Sequence, residues 1–331
     1  MTSRSTDFKL AVLIGTLLVS AQAGAQAVNF TGMCDASGAI PLSATTFAVA
    51  DDEDNVLRSY DAIRGGAPLH ATDLSKQLGL PESFNKKGVL KPAPETDIEA
   101  ATLLEGRAYW ITSYGRNSKG KEQPARMRFF TTTVPADTHP LQVTAVANER
   151  FFNELLSAPT LRAFALNKAA ALAPKDRGGL NIEGLSAMPD GRLLIGFRNP
   201  IPEGLALLVP LENPQQVMAG EPARFGAALR LDLGGLGVRS ITPWRDGYLI
   251  AAGHYDSGAA SKLYTWNGRN TPKLIDLELG DLNPEAFFIS GERILLLSDD
   301  GSRMLQGKEC KQLKDAQQKY FRGLWVGLAQ Q

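Results

Sequence analysis

Three glutamates and one arginine stand at matching places in four similar short segments. Glu99 lies in 97–101, Glu183 in 181–185, Arg239 in 237–241 and Glu285 in 283–287. Fourteen positions beyond them come Ser113, Phe197, Gly253 and Asp299, and Ser37 to Asp51 keeps the same spacing. Carboxylates brought together by such a repeat repel unless a cation or an arginine neutralises them. An oxygen-rich, cysteine-free set selects a hard divalent ion, Ca²⁺ before Mg²⁺. Glu99, Glu183 and Glu285, with Asp299, are therefore the candidate metal ligands. Arg116, Arg198 and Arg239, with Asn117 and Asn199, are candidates for holding the anionic group of a small substrate. His254 or Asp51 would be the general base. The competing expectation is structural: the glutamates cap backbone amides or pair with the arginines, and His254 is an exposed loop residue.

Other motifs carry less. Residues 115–121 match most of a phosphate-binding loop, but Glu122 replaces the required Ser or Thr and a β-like run follows where a helix should start. Residues 51–55 resemble a calcium loop without its glycine or closing glutamate, so they either lend carboxylates to the channel or form an acidic turn. No Gly-x-Ser-x-Gly, His-Glu-x-x-His or Cys-x-x-Cys sequence occurs.

The elements that would position these residues follow from the same spacing. Each segment is followed by a turn glycine (Gly106, Gly191, Gly247, Gly291) and then an apolar β run: 108–112, 193–196, 248–252 and 294–297. Residues 47–50 are the matching run of the first copy. Third and fourth strands are expected at 56–60, 127–131, 206–211, 229–233, 263–266 and 274–277. Four strands per unit of roughly 45–60 residues is the signature of an all-β fold, the β-propeller. Five blades are expected, with the alanine-rich stretch near 148–172 as a helical insertion; a degenerate sixth blade there is the alternative. Residues 30–34 could complete the last blade, and a Cys34–Cys310 disulfide would lock that closure, against the alternative of two free thiols. The polar run 311–320 reads as a short surface helix.

Composition bounds the partners. Thirty-five basic and 35 acidic residues cancel, with no basic stripe, which excludes nucleic acid. Residues 1–27 read as an export signal: Arg4 and Lys9, a short apolar stretch from residue 10 to 19, then Ala25-Gln26-Ala27, with a cut after Ala23 as the alternative. Residues 28–331 would form a single exported domain, periplasmic or secreted and monomeric, with no membrane span once the signal is removed. Its partner would be a small anionic substrate or a protein ligand.

The strings at 111–120, 178–185 and 194–200 resemble a bacterial exported family, the domain of unknown function 3616, over about residues 30–325. That resemblance implies a propeller-like protein and carries no catalytic residues across. More loosely, the strand starts are similar to those of phytase-like esterase and lactonase propellers, which implies divalent metal in the channel. Ser37 and Arg239 break a uniform acidic ring. Two functions remain open: a metal-assisted hydrolase of a phosphate ester, ester or lactone, and a non-catalytic binding propeller.

Overall fold

The computed structural model describes residues 26–135, 139–256 and 261–328. The chain enters on β1 (Gln26–Thr31) and then builds blade one from β2 (Ala39–Pro41), β3 (Thr46–Val49), β4 (Val56–Asp61) and β5 (His70–Asp73). Blade two is β6 (Ile98–Leu104), β7 (Arg107–Thr112), β8 (Phe129–Thr132) and β9 (Val143–Val146). After α1 (Arg150–Ser157) and α2 (Leu166–Ala169), blade three follows as β10 (Asn181–Ala187), β11 (Leu193–Asn199), β12 (Ala206–Leu211) and, beyond α3 (Pro214–Met218), β13 (Leu229–Leu231). Blade four is β14 (Gly237–Trp244), β15 (Gly247–Gly253), β16 (Lys262–Trp266) and β17 (Lys273–Ile275). Blade five takes β18 (Pro284–Ser290) and β19 (Arg293–Ser298), passes through a hairpin of β20 (Met304–Leu305) and β21 (Lys308–Glu309), and ends on β22 (Tyr320–Gly327).

Each blade is an antiparallel four-stranded sheet, and the fifth has the order β1-β22-β19-β18. The amino-terminal strand therefore supplies the outer edge of the last blade, with Phe30 opposite Phe321. This closes the ring and covers an edge that would otherwise be open to another chain. The innermost strands β2, β6, β10, β14 and β18 contact their neighbours in a closed cycle around the channel. The Cys34–Cys310 disulfide is formed, with Cα atoms 5.9 Å apart, just inside the β1–β22 seam.

Apolar faces of adjacent blades pack on each other. Between blades five and one, Phe30, Phe47, Tyr60, Phe288, Phe321 and Trp325 form a buried cluster. Rings such as Phe30 and Phe47 meet edge-on at 5.3 Å, a geometry that adds to the gain from their buried area. The predicted helical insertion is present and replaces the alternative of a sixth blade. Its Phe151, Leu155, Leu161 and Leu166 are buried against Tyr109, Phe129, Ile182 and Phe197 of blades two and three.

One expectation needs adjustment. The run 311–320 is not a helix: single 3₁₀ turns at Cys310–Gln312 and Ala316–Gln318 lead straight into β22. The disulfide anchors one end and strand pairing recruits the other, which leaves too few residues to propagate a helix. The export signal lies almost wholly outside the described residues. β1 begins at Gln26, so cleavage after Ala23 leaves that strand whole, and cleavage after Ala27 removes its first two residues.

Candidate functional site

The repeated charged position has a local structural cause. In β6, pairing with β7 skips from Ile98 to Ala100, so Glu99 is an extra, unpaired residue. The same shift isolates Glu183 in β10, Arg239 in β14 and Glu285 in β18. A β-bulge of this kind bends the strand and re-aims the side chain it carries. Four successive innermost strands thus use one device to turn a charged residue toward the channel. A second shift, between Asn199 and Phe197, leaves Arg198 unpaired on β11. In blade one the matching Ser37 has no charge, and its hydroxyl donates to the Ile98 carbonyl of the neighbouring blade at 2.5 Å.

The side chains meet in a cavity of about 830 Å³ at the channel mouth. Asp35, Asp52, Asp97, Glu99, Glu183, Glu285 and Asp299 line it, together with Arg126, Arg198 and Arg239. Glu99, Glu183 and Glu285 each offer a carboxylate oxygen within 4.8 Å of the other two, and all three are buried. Asp52, Asp97 and Glu99 form a second group at the same spacing. An ion held at 2.3–2.6 Å by its ligands permits oxygen–oxygen separations up to about 5 Å, so both groups fit a cation of calcium size.

Arginines lock part of this cluster. Arg198 Nη1 donates to Glu183 Oε1 at 2.7 Å, and Arg198 Nε to the His254 carbonyl at 2.9 Å. Arg239 pairs with Glu285 at 2.7 Å and Asp299 at 3.0 Å, and its Nη1 reaches Asn283 at 2.8 Å. Glu183 Oε2, by contrast, is buried with no hydrogen-bond partner, and only the guanidinium of Arg239 stands near it, at 3.9 Å, a costly state for a carboxylate oxygen. Arg126 holds Asp97 at 2.8 Å and also binds Glu95.

Burial, followed by repulsion from neighbouring carboxylates, pushes Glu99 and Asp52 well above the usual carboxylate range. Burial also raises Glu285, against the opposing pull of Arg239. Asp97 is lifted by burial to about 6, although Arg126 and Ser113 act to lower it. Burial and a hydrogen bond to Asp299 raise Asp35 strongly. Burial would raise Asp299 as well, but the bond from Asp35 and the charge of Arg239 overcome it and hold Asp299 low. Within this pair the proton is favoured on Asp35 and the negative charge on Asp299.

Several residues expected at the site lie elsewhere. Arg116 and Asn117 do not line this cavity. Arg116 pairs with Glu122 at 2.7 Å and donates to the Ala170 carbonyl at 2.8 Å, while Asn117 Oδ1 accepts from the amides of Lys119 and Lys121. The glycine-rich loop is thereby folded on itself and tied to the helical insertion. Asn199 is buried, donating to the Pro174 and Asp176 carbonyls. His254 lines a separate cavity of about 650 Å³ together with Asn199, Phe164, Leu172, Arg177 and Tyr255, and its Nδ1 lies 2.5 Å from Asp256. Asp51 is buried and does not line the central cavity; it accepts from the Glu53 amide at 2.9 Å, and burial and Asp54 raise it to about 7. Asp299 is spent on Arg239, Asn283 and Gly301 and stands outside the three-glutamate group.

The structure adds members that the spacing did not single out. Asp35, Asp97, Asn181 and Asn283 all line the cavity. Each stands two residues before the repeated position, alongside Gly237 in blade four. That offset is the signal by which they could have been found.

Residues 122–278 match the model of a family described as Protein of unknown function (DUF3616). The match runs from just before β8 to just past β17, a narrower span than the resemblance over 30–325. No curated protein matches the chain in sequence. Among solved structures, glutaminyl cyclase from Myxococcus xanthus is similar at 11% identity and TM-score 0.47, covering 92% of this chain and 97% of that one. A Bacillus subtilis arabinanase is similar at 11% identity and TM-score 0.45, covering 92% and 96%. The PQQ-bound aldose sugar dehydrogenase of Streptomyces coelicolor follows at 11% identity and TM-score 0.43, covering 92% and 98%.

Proposed function

We propose that this propeller is a divalent-cation-dependent hydrolase of a phosphate ester, ester or lactone, with Ca²⁺ held by Glu99, Glu183 and Glu285. The observation that carries this reading is the convergence of those three buried carboxylates within 4.8 Å, with Glu183 Oε2 left without a donor. A cation of this class, when bound, polarises a carbonyl or phosphoryl oxygen and lowers the pKa of a water ligand.

The chain's own residues do the rest. Arg198 fixes Glu183 through one oxygen, and the other has no hydrogen bond and lies 3.9 Å from Arg239. Arg239 orients Glu285 and balances charge between β14 and β18. Lys175, Arg303 and Lys311 line the cavity beside the acids, a basic fringe that draws an anionic substrate inward. The disulfide supports an exported, periplasmic or secreted setting. Among the described residues no helix is long and apolar enough to cross a membrane.

One observation favours the second reading, a binding propeller without turnover: neither His254 nor Asp51 lines the central cavity. Chromogenic phosphate, acyl and lactone substrates, assayed with and without Ca²⁺, separate the two. Turnover that needs Ca²⁺ and is lost in Glu183→Gln supports the hydrolase. Calcium binding without turnover supports the binding module. If chelator-treated protein gives no calorimetric heat with Ca²⁺ and no rise in melting temperature, the cation reading is wrong.

A further inference from the structure

The three-glutamate group and the group of Asp52, Asp97 and Glu99 share one residue. Glu99 is only 6% exposed. Among the described residues no hydrogen bond or ion pair holds its carboxylate, in contrast to the arginine-bound Glu183 and Glu285. A buried carboxylate with no direct partner, aimed between two acidic groups, has only the more distant charge of Arg126 to offset its own.

The second group has its own open valences. Asp52 Oδ1 is buried without a hydrogen-bond partner. Asp97 takes both Arg126 and the Ser113 hydroxyl on Oδ2, which leaves Oδ1 uncommitted. The remaining acidic group, Asp35 with Asp52 and Glu53, differs: Asp35 accepts from the Gly301 amide, and Glu53 pairs with Lys311 at 3.1 Å.

We propose that Glu99 bridges two divalent cations, one shared with Glu183 and Glu285 and the other with Asp52 and Asp97. This rests on the cation reading above and adds a second site. Ions bridged by one carboxylate stand about 3.5–4 Å apart, close enough to grip two oxygens of a single anionic group.

Calorimetric titration of the chelator-treated full chain with Ca²⁺ tests this. Two equivalents are expected for the natural sequence and one for Asp52→Asn or Glu285→Gln, each removing a different site. Glu99→Gln should weaken both sites by about tenfold or more. Circular dichroism and melting curves verify that each variant is folded. In case a variant does not fold, Mn²⁺ on the unaltered protein gives an independent reading: electron paramagnetic resonance of a bridged pair shows spin coupling, and isolated ions do not. One equivalent with an uncoupled Mn²⁺ spectrum overturns the bridge and leaves the single-cation reading intact. Zero equivalents overturns both.

Discussion

Gly253 lies directly against the side chain of Arg239: a β-carbon at Gly253 would stand 2.6 Å from Arg239 Cδ and 3.1 Å from its Cγ. The absence of a side chain on β15 is what lets the guanidinium of β14 pass into the channel and meet Glu285. Arg239 is fully enclosed and cannot swing aside without breaking its pairs with Glu285 and Asp299. Gly253→Ala should therefore destabilise the fold by about 1–3 kcal/mol, in the range of overpacked cores, and weaken Ca²⁺ binding as well. Urea unfolding and a calcium titration measure the two effects. A variant that matches the natural protein in both would show that Arg239 can be displaced at no cost.

Removing the guanidinium itself is the harsher change. Arg239→Met leaves Glu285 and Asp299 buried or half-buried without their cation, and breaking such a pair costs about 3–5 kcal/mol. Ca²⁺ should recover part of that loss, because a bound ion restores positive charge among the same carboxylates. Denaturation midpoints with and without Ca²⁺ read this directly. Equal midpoints for variant and natural protein would argue against charge compensation by Arg239.

Asp51 sets a pH dependence. Its carboxyl is pushed up to about 7 by burial and by Asp54, against roughly 3.9 in an unfolded chain. The folded state then holds the proton more tightly, so this contribution to stability is complete below about pH 4 and is lost as pH rises to about 7. Asp97, lifted by burial to about 6, adds in the same direction. Calcium-free protein should unfold more readily at pH 8 than at pH 5 from these groups, and Asp51→Asn should flatten the slope. Melting temperatures across pH 4.5–8 test it; parallel curves for the two proteins would rule Asp51 out as a source.

The Cys34–Cys310 bond spans 276 residues. Replacing both cysteines by serine should cost about 2–5 kcal/mol by releasing the unfolded chain. The β1–β22 pairing still closes the ring, so the far-ultraviolet spectrum should not change. Urea midpoints of the double variant, and of the natural protein with reductant, should fall together. If neither moves, the strand seam alone carries the closure.

The repeat was legible because propeller blades repeat their chemistry. The turn glycines at 106, 191, 247 and 291, the apolar β runs and the fourteen-residue interval pointed to five blades and their innermost strands, with a sixth left open at 148–172 until the structure placed helices there. Alternation and turn residues are local properties, and local properties are written directly in a sequence. The bulges at Glu99, Glu183, Arg239 and Glu285 were legible only as a position, because register against the next strand is a property of two segments and not of one.

What only the tertiary structure decided is which charges share a space. His254 falls at an equivalent place in its loop, yet the turn after β15 carries it to an outer cavity beside the insertion. Arg116 is drawn away by Ala170 and Glu122. Asp35 and Asp97, two residues upstream of the repeated position, enter instead. The sequence by itself determined the ring and the residues aimed at its axis. Ring closure determined their distances, because the separation of side chains on different blades depends on how whole sheets pack, and that packing is set by the apolar clusters between blades.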